Sequence, residues 1–268
     1  MSAADRPLIN VITVVFNGRS FVEETIESVQ AQTCPGVAHW LIDGGSTDGT
    51  LDIIRKHQAR LAGWSSEPDA GIADAFNKGL ARTGDGYVMF LNADDALARP
   101  EALADLMAAA RAHGWPDVVY GDMDICDPQS GAVRYRISTE YAREYLVRGG
   151  ALPHPSMLMH SRYFHKYGVF DTSYKVGMDL ELFLRGIPET GALHVPVLVS
   201  RMRAGGISVR ARHWVVDETV RALRSHGYLG AAGEARMRCV YALRGLARRT
   251  LEGLGLYRGF DALRRRRA

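Results

Sequence analysis

The chain has 268 residues, of which 47% are apolar and 24% charged, an ordinary composition for a globular protein with a sizeable core. It has no uninterrupted apolar run of about 20 residues, as a membrane-spanning helix needs, and its N-terminus lacks a basic region followed by an apolar stretch. We therefore expect neither a secreted precursor nor a membrane-spanning protein, and the three widely spaced cysteines suit a reducing cytosol.

Charge is distributed unevenly along the chain. The net charge is +3, yet residues 201–268 hold 16 arginines, no lysine and five acidic residues, a net charge of +11, so residues 1–200 carry −8. An acidic body does not resemble a nucleic-acid-binding surface, whereas a basic C-terminal segment suits an anionic membrane face or another polyanion. The two parts are therefore expected to do different jobs.

The first 125 residues alternate apolar runs with amphipathic stretches, the pattern of βαβ units and a mostly parallel sheet. Predicted strands are Leu8–Val15, Val37–Asp43, Tyr87–Leu91 and Val118–Asp122, and predicted helices are Ser20–Gln32, Thr50–Leu61, Ile72–Ala81 and Pro100–Ala112. Beyond about residue 130 the periodicity weakens. The elements predicted there are a strand ending at Ile137, a loop at Leu152–Pro155, a helix Met178–Arg185, a strand Ala192–Val199 and Arg-rich helices from about Trp214.

Polar, flexible segments follow the predicted strands, at the edge where ligands bind to parallel sheets. Asn17 and Gly18 follow the first strand, and a glycine-rich acidic segment, Asp43–Thr50, follows the second. Asp43 can accept a hydrogen bond from a base or ribose, and Asp48 can cap the next helix; a plain capped turn is the alternative. The segment is neither the Gly-x-Gly-x-x-Gly dinucleotide fingerprint nor a Gly-Lys-Ser/Thr phosphate loop.

Two adjacent carboxylates, Asp94 and Asp95, come directly after a very apolar predicted strand. Burial makes unpaired charges costly, and a divalent cation removes that cost. Mg²⁺ and Mn²⁺ prefer one or two carboxylates, with phosphate oxygens and water completing the shell, so the pair predicts a metal bound together with a diphosphate. The alternative is that both acids cap the following helix or are solvated.

An acidic turn, Glu67–Gly71, lies between these segments and leads into a helix of small residues. Asp69 and Gly71 are the better site candidates in this region. Asp74 and Lys78 lie four residues apart on the helix and are as readily explained by a surface ion pair.

In this order and spacing, the segments resemble glycosyltransferase family 2, whose members have the GT-A fold, a Rossmann-like α/β fold. The resemblance rests on Thr13–Asn17, Asp43–Thr50, Glu67–Gly71, Asn77–Gly79 and Leu91–Asp95. It is strong over residues 8–125 and looser over 126–212. We therefore expect a GT-A catalytic domain over 1–212, with a nucleotide-sugar-binding half (1–125) and an acceptor-binding half (126–212), followed by a helical, basic extension over 213–268.

The resemblance implies roles in binding a nucleoside diphosphate sugar, with a UDP-sugar favoured. The residues expected at the nucleotide are Phe16, Asn17, Asp43, Asp69 and Gly71. Asn92, Asp94 and Asp95 occupy the family's Asp-x-Asp-like motif, with Asp94 and Asp95 as ligands of Mg²⁺ or Mn²⁺. Because Asn92 stands where some members have an acid, Asp95 is the first choice for direct metal contact.

The family's catalytic base usually lies in an acidic pair that opens a short helix. Gly177–Arg185 fits this form, with Met178 in place of the first acid, so Asp179 is the candidate base. Helical geometry supports it, because Asp179 sits in the first turn while Leu180, Phe183 and Leu184 form an apolar stripe. A helix N-cap is the alternative role.

Two further segments are candidates to close the site. His154, between two prolines, is placed on the acceptor side, with a structural histidine as the alternative. Arg201, Arg203 and Arg210 belong to a glycine-containing segment that resembles the Gly-Ile-Ser segment of bacterial members. Such a segment suits a mobile lid that neutralises a leaving diphosphate, and an exposed basic loop is the alternative.

Together these assignments predict an inverting transferase in which Asp179 takes the proton from an acceptor hydroxyl. The expected acceptor is a glycan or a lipid-linked sugar in bacterial surface polysaccharide synthesis. A non-catalytic nucleotide-sugar-binding or scaffold protein with the same fold is the alternative; a nicotinamide oxidoreductase lacks its glycine fingerprint here. The basic extension is expected either to lie on the cytoplasmic membrane surface or to pack against the domain or a partner.

Overall fold

The computed structural model describes residues 8–206 and 212–253, and strands alternate with helices through most of this part. In chain order the elements are β1 (Leu8–Val15), α1 (Val22–Gln30), β2 (Val37–Asp43), α2 (Thr50–His57), β3 (Gly63–Ser66), α3 (Ile72–Leu80), β4 (Gly86–Asn92), β5 (Asp95–Leu97), α4 (Ala102–Ala112), β6 (Val118–Cys126), β7 (Val133–Ile137), α5 (Arg143–Leu146), β8 (Met157–His160), α6 (Ser161–Tyr167), α7 (Met178–Thr190), β9 (Leu193–Arg203), α8 (Arg212–Ser225) and α9 (Ala231–Gly253). Short 3₁₀ helices occupy Gln58–Arg60 and His154–Ser156. None of the helices described is long and apolar enough to cross a membrane.

Within the described residues, nine strands form one sheet in the order β3-β2-β1-β4-β8-β6-β9-β5, and β7 pairs with β6. The four strands from β3 to β4 are parallel, as are β6 and β9. β8, β7 and β5 pair antiparallel with their neighbours. The predicted α/β class is therefore confirmed, with the parallel character concentrated in the N-terminal half of a mixed sheet.

The sheet is covered by helices on both faces, which explains why its central strands are apolar throughout. On β4, Val88 and Phe90 face a core shared with α3 and α7, whereas Met89 and Leu91 face a core shared with α4. Helix α8 packs on α7 and adds Leu223 to the first of these cores. Helix α8, in the part predicted as a basic extension, therefore belongs to the same packed body.

Several short elements were not predicted from the sequence. The four-residue strand β3 and three-residue strand β5 are too short to show a periodicity, and β8 and α6 meet without an intervening loop. β9 also extends past its predicted end at Val199 to Arg203, because its last residues pair with both β5 and β6. The backbone of Arg201 and Arg203 is therefore held in a sheet, where the sequence predicted a mobile loop.

Gly79 lets α3 approach the sheet closely. A β-carbon there would lie 2.4 Å from Cγ2 of Ile12 and 3.2 Å from Cγ1 of Ile42. Overpacking of this kind costs about 1–3 kcal/mol, and the higher helix propensity of alanine returns up to about 1 kcal/mol. We predict that Gly79→Ala lowers the free energy of unfolding in urea by about 1 kcal/mol or more. Gly84→Ala, where a β-carbon meets nothing within 4 Å, is the control; equal stability of the two variants would contradict the close packing.

Candidate active site

Strand register brings the predicted donor-site segments to one edge of the sheet. Val15 at the end of β1 aligns with Asp43 at the end of β2, which in turn aligns with Ser66 at the end of β3. On the other side of β1, Val14 aligns with Asn92 at the end of β4. The segments that follow these strands therefore meet at the carboxyl ends of parallel strands, where such sheets bind ligands.

Asp43 organises the loop after β2. Its side chain is fully buried, and Oδ2 accepts hydrogen bonds from the backbone amides of Gly45 (3.1 Å) and Ser46 (3.0 Å) and from the Ser66 hydroxyl (2.6 Å). Oδ1 accepts from the hydroxyl of Ser46. The carboxylate has no accessible surface, so the structure gives Asp43 a loop-forming role in place of the predicted direct contact with a base or ribose.

Phe16 and Asn17 follow β1 and have different surroundings. Phe16 is 66% exposed, so its ring is available for stacking at the sheet edge. Asn17 has a left-handed backbone, with φ of 50°, which asparagine tolerates better than most residues. Its amide donates to the Ser46 hydroxyl (2.7 Å), and its side-chain oxygen accepts from the amide of Thr47 (2.9 Å). Asn17 thus ties the first loop to the second, directly after the exposed Phe16.

Asp69 lies directly over the backbone of Gly44. A β-carbon at Gly44 would be 2.4 Å from Oδ2 of Asp69 and 3.5 Å from the ring of Phe16, so these three residues border one space. The other oxygen of Asp69 accepts from the amide of Gly71 (2.8 Å). Gly71 precedes α3 with φ of 122°, a conformation that only glycine adopts readily. The predicted candidates Asp69 and Gly71 therefore form one turn beside Phe16.

Helix α3 anchors this turn. Lys78 donates to the carbonyl of Pro68 (2.9 Å) and lies 3.4 Å from Asp74, so the ion pair that we considered as an alternative is present. Asn77 exchanges two hydrogen bonds with the backbone of Phe170, at 2.8 and 3.0 Å. The sequence marked Asn77 only as part of a motif, and its partner, 93 residues further along the chain, could not be predicted from it.

Asp94 and Asp95 differ in burial. Asp95 is 1% exposed, and its Oδ2 accepts from the backbone amide (3.2 Å) and the side-chain amide (3.1 Å) of Asn92. Its Oδ1 is buried and has no hydrogen-bond partner among the described residues. Burial, and next the charge of Asp94, raises the pKa of Asp95 to about 8; burial also raises the pKa of Asp94, which is partly exposed.

This arrangement fits a divalent cation. A carboxylate oxygen that is buried without a donor, beside a second carboxylate, is costly unless a proton or a cation compensates it. Mg²⁺ or Mn²⁺ bound by Asp94 and Asp95 would satisfy the free oxygen and offset the repulsion between the two charges. Asp95 stays the first choice for direct contact, because Asn92 fixes one oxygen and leaves the other free.

A second acidic group within the described residues brings ligand atoms of Glu23, Glu27 and His57 within 4.8 Å of one another. Lys56 donates to the carboxylate of Glu23 (2.7 Å), and the Nε2 atom of His57 lies 3.0 Å from the same oxygen. Because Lys56 already pairs with Glu23, this group is the weaker candidate, and Asp94 and Asp95 stay the predicted metal ligands.

The three arginines of the predicted lid differ in placement. Arg201 is exposed and faces Asp124 in the β6–β9 register. Arg203 forms an ion pair with Glu24 and lies 4.8 Å from the ring centroid of Phe21. Strand pairing fixes the backbone of both, which corrects the expectation of a mobile lid for them. Arg210 lies outside the described residues.

Asp179 is the second residue of α7, and its carboxylate accepts from the amide of Leu180 (2.8 Å). The N-cap position belongs to Gly177, so the N-cap alternative is wrong for Asp179. The side chain is partly exposed. Loss of hydration in the surrounding protein raises the pKa of its carboxyl to about 6, and the negative charge of Glu218 raises it further. A carboxylate that titrates near neutral pH suits a general base.

A lysine links the start of α7 to the donor side. Lys175, four residues before Asp179, donates from Nζ to the carbonyl of Ala70 (3.3 Å) in the turn that carries Asp69. The candidate base therefore opens a helix that is tethered to the predicted nucleotide pocket.

His154 lies in an aromatic cluster rather than at an open surface. Its ring centroid is 5.4–5.8 Å from those of Phe76, Phe90, Phe170 and Phe183. Burial lowers its pKa to about 4, so the imidazole is neutral at pH 7. The structure thus favours the structural alternative over the predicted contact with the acceptor.

A family model described as glycosyl transferase family 2 matches residues 10–170, more than half of the chain. The chain belongs to this glycosyltransferase family. An uncharacterized glycosyltransferase of Mycobacterium tuberculosis is 30% identical over 181 residues, which are 67% of this chain and 68% of that protein. A PGL/p-HBAD biosynthesis glycosyltransferase of Mycobacterium bovis is 27% identical over 209 residues, 75% of this chain and 79% of that protein.

Solved glycosyltransferase structures share the fold. S. aureus TarS in complex with UDP-GlcNAc aligns with a TM-score of 0.67 at 16% identity, over 86% of this chain and 69% of that chain. The mannosyltransferase PcManGT from Pyrobaculum calidifontis, in complex with GDP-Man and Mn²⁺, aligns with a TM-score of 0.59 at 17% identity, over 97% and 87%. The predicted GT-A fold is confirmed. The family match contains the donor-side residues and the acid pair, and it ends before Asp179.

Gly44→Ala tests whether Asp69 serves the nucleotide site. The added β-carbon must displace the carboxylate of Asp69, and loss of one charged hydrogen bond costs about 1.5–3 kcal/mol. We predict that the variant binds UDP about 10- to 100-fold more weakly in isothermal titration calorimetry. Asp69→Asn is the comparison: because both changes act on one group, their losses should not add in the double variant. Full additivity would contradict the assignment.

Proposed function

We propose that this family 2 glycosyltransferase moves a sugar from a nucleoside diphosphate sugar, with a UDP-sugar favoured, to a hydroxyl of a glycan or lipid-linked acceptor. The observation that carries the proposal is the Asp94–Asp95 pair with its unpartnered oxygen, at the sheet edge that also holds Phe16 and Asp69. TarS with UDP-GlcNAc and PcManGT with GDP-Man support a nucleotide-sugar donor.

On the donor side, the exposed ring of Phe16 stacks against the base, and Asp69 contacts the nucleoside next to it. Asp94 and Asp95 would hold Mg²⁺ or Mn²⁺, and a metal in that position would supply positive charge to the departing diphosphate. Mn²⁺ in the PcManGT complex supports this choice of ion. Arg203, whose charge acts on both Asp94 and Asp95, and the exposed Arg201 on the same strand add positive charge near this edge.

On the acceptor side, Asp179 removes the proton from the attacking hydroxyl. The acceptor oxygen forms a bond to the anomeric carbon while the bond from that carbon to the diphosphate oxygen breaks, and the proton passes to the carboxylate of Asp179. A single displacement of this kind inverts the anomeric centre. A pKa of about 6 keeps Asp179 ionised at neutral pH and basic enough to accept a proton.

Replacing the base should abolish transfer and spare donor binding. We predict that Asp179→Asn lowers kcat by about 10²–10⁴-fold, because a general base contributes that much, while the Kd for UDP stays within about twofold. Product is measured by chromatography, and binding is measured by calorimetry. Glu189→Gln, an exposed position on the same helix, is the control. Wild-type turnover by Asp179→Asn would remove the residue from this role.

The raised pKa of Asp179 predicts the pH dependence. Asp179 accepts a proton only when ionised, so kcat/KM should rise with pH through an apparent pKa of about 6 and then level off, at Mn²⁺ concentrations that saturate Asp94 and Asp95 and keep both ionised. Initial rates measured between about pH 4.5 and 8 follow this rise, because that range lies above the ordinary pKa of aspartate and spans the raised one. A rise centred near 4, the ordinary value for aspartate, would show that the carboxylate is not perturbed.

Metal binding is tested without turnover. Because a ligand that binds the folded state raises its stability by mass action, we predict that Mn²⁺ with UDP raises the Tm of the wild type and that Asp95→Asn loses this increase. Differential scanning fluorimetry measures both. Asp52→Asn, at a side chain that is 82% exposed on α2, should behave like the wild type. An equal shift in Asp95→Asn would place the metal elsewhere.

We extend the proposal to a cytoplasmic enzyme that associates peripherally with the membrane during surface polysaccharide synthesis. Val240 and Leu243 are exposed on the Arg-rich helix α9, as in helices that lie on anionic membranes.

The non-catalytic alternative to the proposed transferase predicts the same nucleotide binding but no product. Formation of a glycosylated acceptor therefore decides between them.

A further inference from the structure

Helix α8 holds the segment that leads into α7. The carboxylate of Glu218 accepts hydrogen bonds from three consecutive backbone amides: Oε1 from Lys175 (2.8 Å), and Oε2 from Val176 (2.9 Å) and Gly177 (2.8 Å). Glu218 is only 9% exposed, so its charge is compensated almost entirely by these donors. Hydrogen bonds to an ionised acceptor are about twice as strong as neutral ones.

Arg221, one turn further along α8, holds the two residues before this triplet. Its guanidinium donates to the carbonyl of Ser173 (3.0 Å) and lies 3.6 Å from the ring centroid of Tyr174. Two side chains of one helix therefore fix five consecutive residues, 173–177.

The segment 173–177 contacts both parts of the candidate active site. From its middle, Lys175 reaches the carbonyl of Ala70, next to Asp69. At its end, Gly177 is the N-cap of α7, two residues before Asp179. The approach of α8 is close there, since a β-carbon at Gly177 would lie 3.1 Å from Cβ of Glu218. The position of segment 173–177 therefore determines the position of Asp179 relative to the turn that contains Asp69.

We propose that Glu218 is a positioning residue for the candidate base. It fixes the start of α7, and with it the carboxylate of Asp179, by accepting hydrogen bonds from the three amides that lead into that helix. The inference rests on the proposed role of Asp179 and gives the first helix of the basic C-terminal part a function in catalysis. A displacement of about 1 Å at a reacting group can cost about 100-fold in rate, while donor contacts on the other strands stay in place.

The test compares Glu218→Ala and Glu218→Gln with Asp217→Asn, whose side chain lies one residue away on α8 and pairs with Arg238 on α9. Hydrogen–deuterium exchange is followed in the peptide that contains 173–179, and kcat and donor KM are measured well below each Tm. For Glu218→Ala we expect faster exchange of the three amides and a loss of about 10- to 100-fold in kcat, with donor KM within about twofold. Glu218→Gln should recover part of both, because its amide oxygen still accepts. Asp217→Asn should change neither.

Unchanged exchange in Glu218→Ala would overturn the inference, and so would faster exchange with wild-type kcat, which would leave Glu218 only a structural role. If Glu218→Ala does not fold, Glu218→Gln carries the same comparison. A wild type that transfers no sugar would instead overturn the proposed function itself, which separates the two failures.

Discussion

The donor side of the site depends on the hydrogen bonds that satisfy the buried carboxylate of Asp43. An ionised group without accessible surface has to be satisfied by nearby donors, and here they come from the loop after β2 and from the end of β3. The same loop then fixes Asn17 through the hydroxyl of Ser46, and Asn17 directly follows the exposed Phe16. One satisfied charge thus shapes the loops that border the predicted pocket.

Asp95 presents the opposite case at the neighbouring strand end. One of its oxygens is held by Asn92, and the other has no donor within the described residues. The difference between the two carboxylates lies in how many donors surround them, since both are fully buried. A satisfied carboxylate builds structure, whereas an unsatisfied one at a ligand-binding edge favours a cation.

The sequence predicted the bounds of β1 and β2 to the residue, because each is an apolar run that ends at a polar turn. It also predicted that α7 begins at Met178 and that the acid pair lies just after β4. It did not predict that Asp43 faces its own loop, that aromatic rings surround His154, or that β9 continues through Arg201, since each outcome depends on partners far along the chain. The role of Glu218 was not predicted for the same reason, because its hydrogen-bond partners lie 41–43 residues earlier in the chain.

The central claim is that the carboxyl ends of β1, β2 and β4 bind a nucleoside diphosphate with a metal. A crystal structure of the protein with UDP and Mn²⁺ tests it most directly. We expect the ion at Asp94 and Asp95, the diphosphate beside it and the base against Phe16. Nucleotide bound at another surface, with no ion at the acid pair, would contradict it.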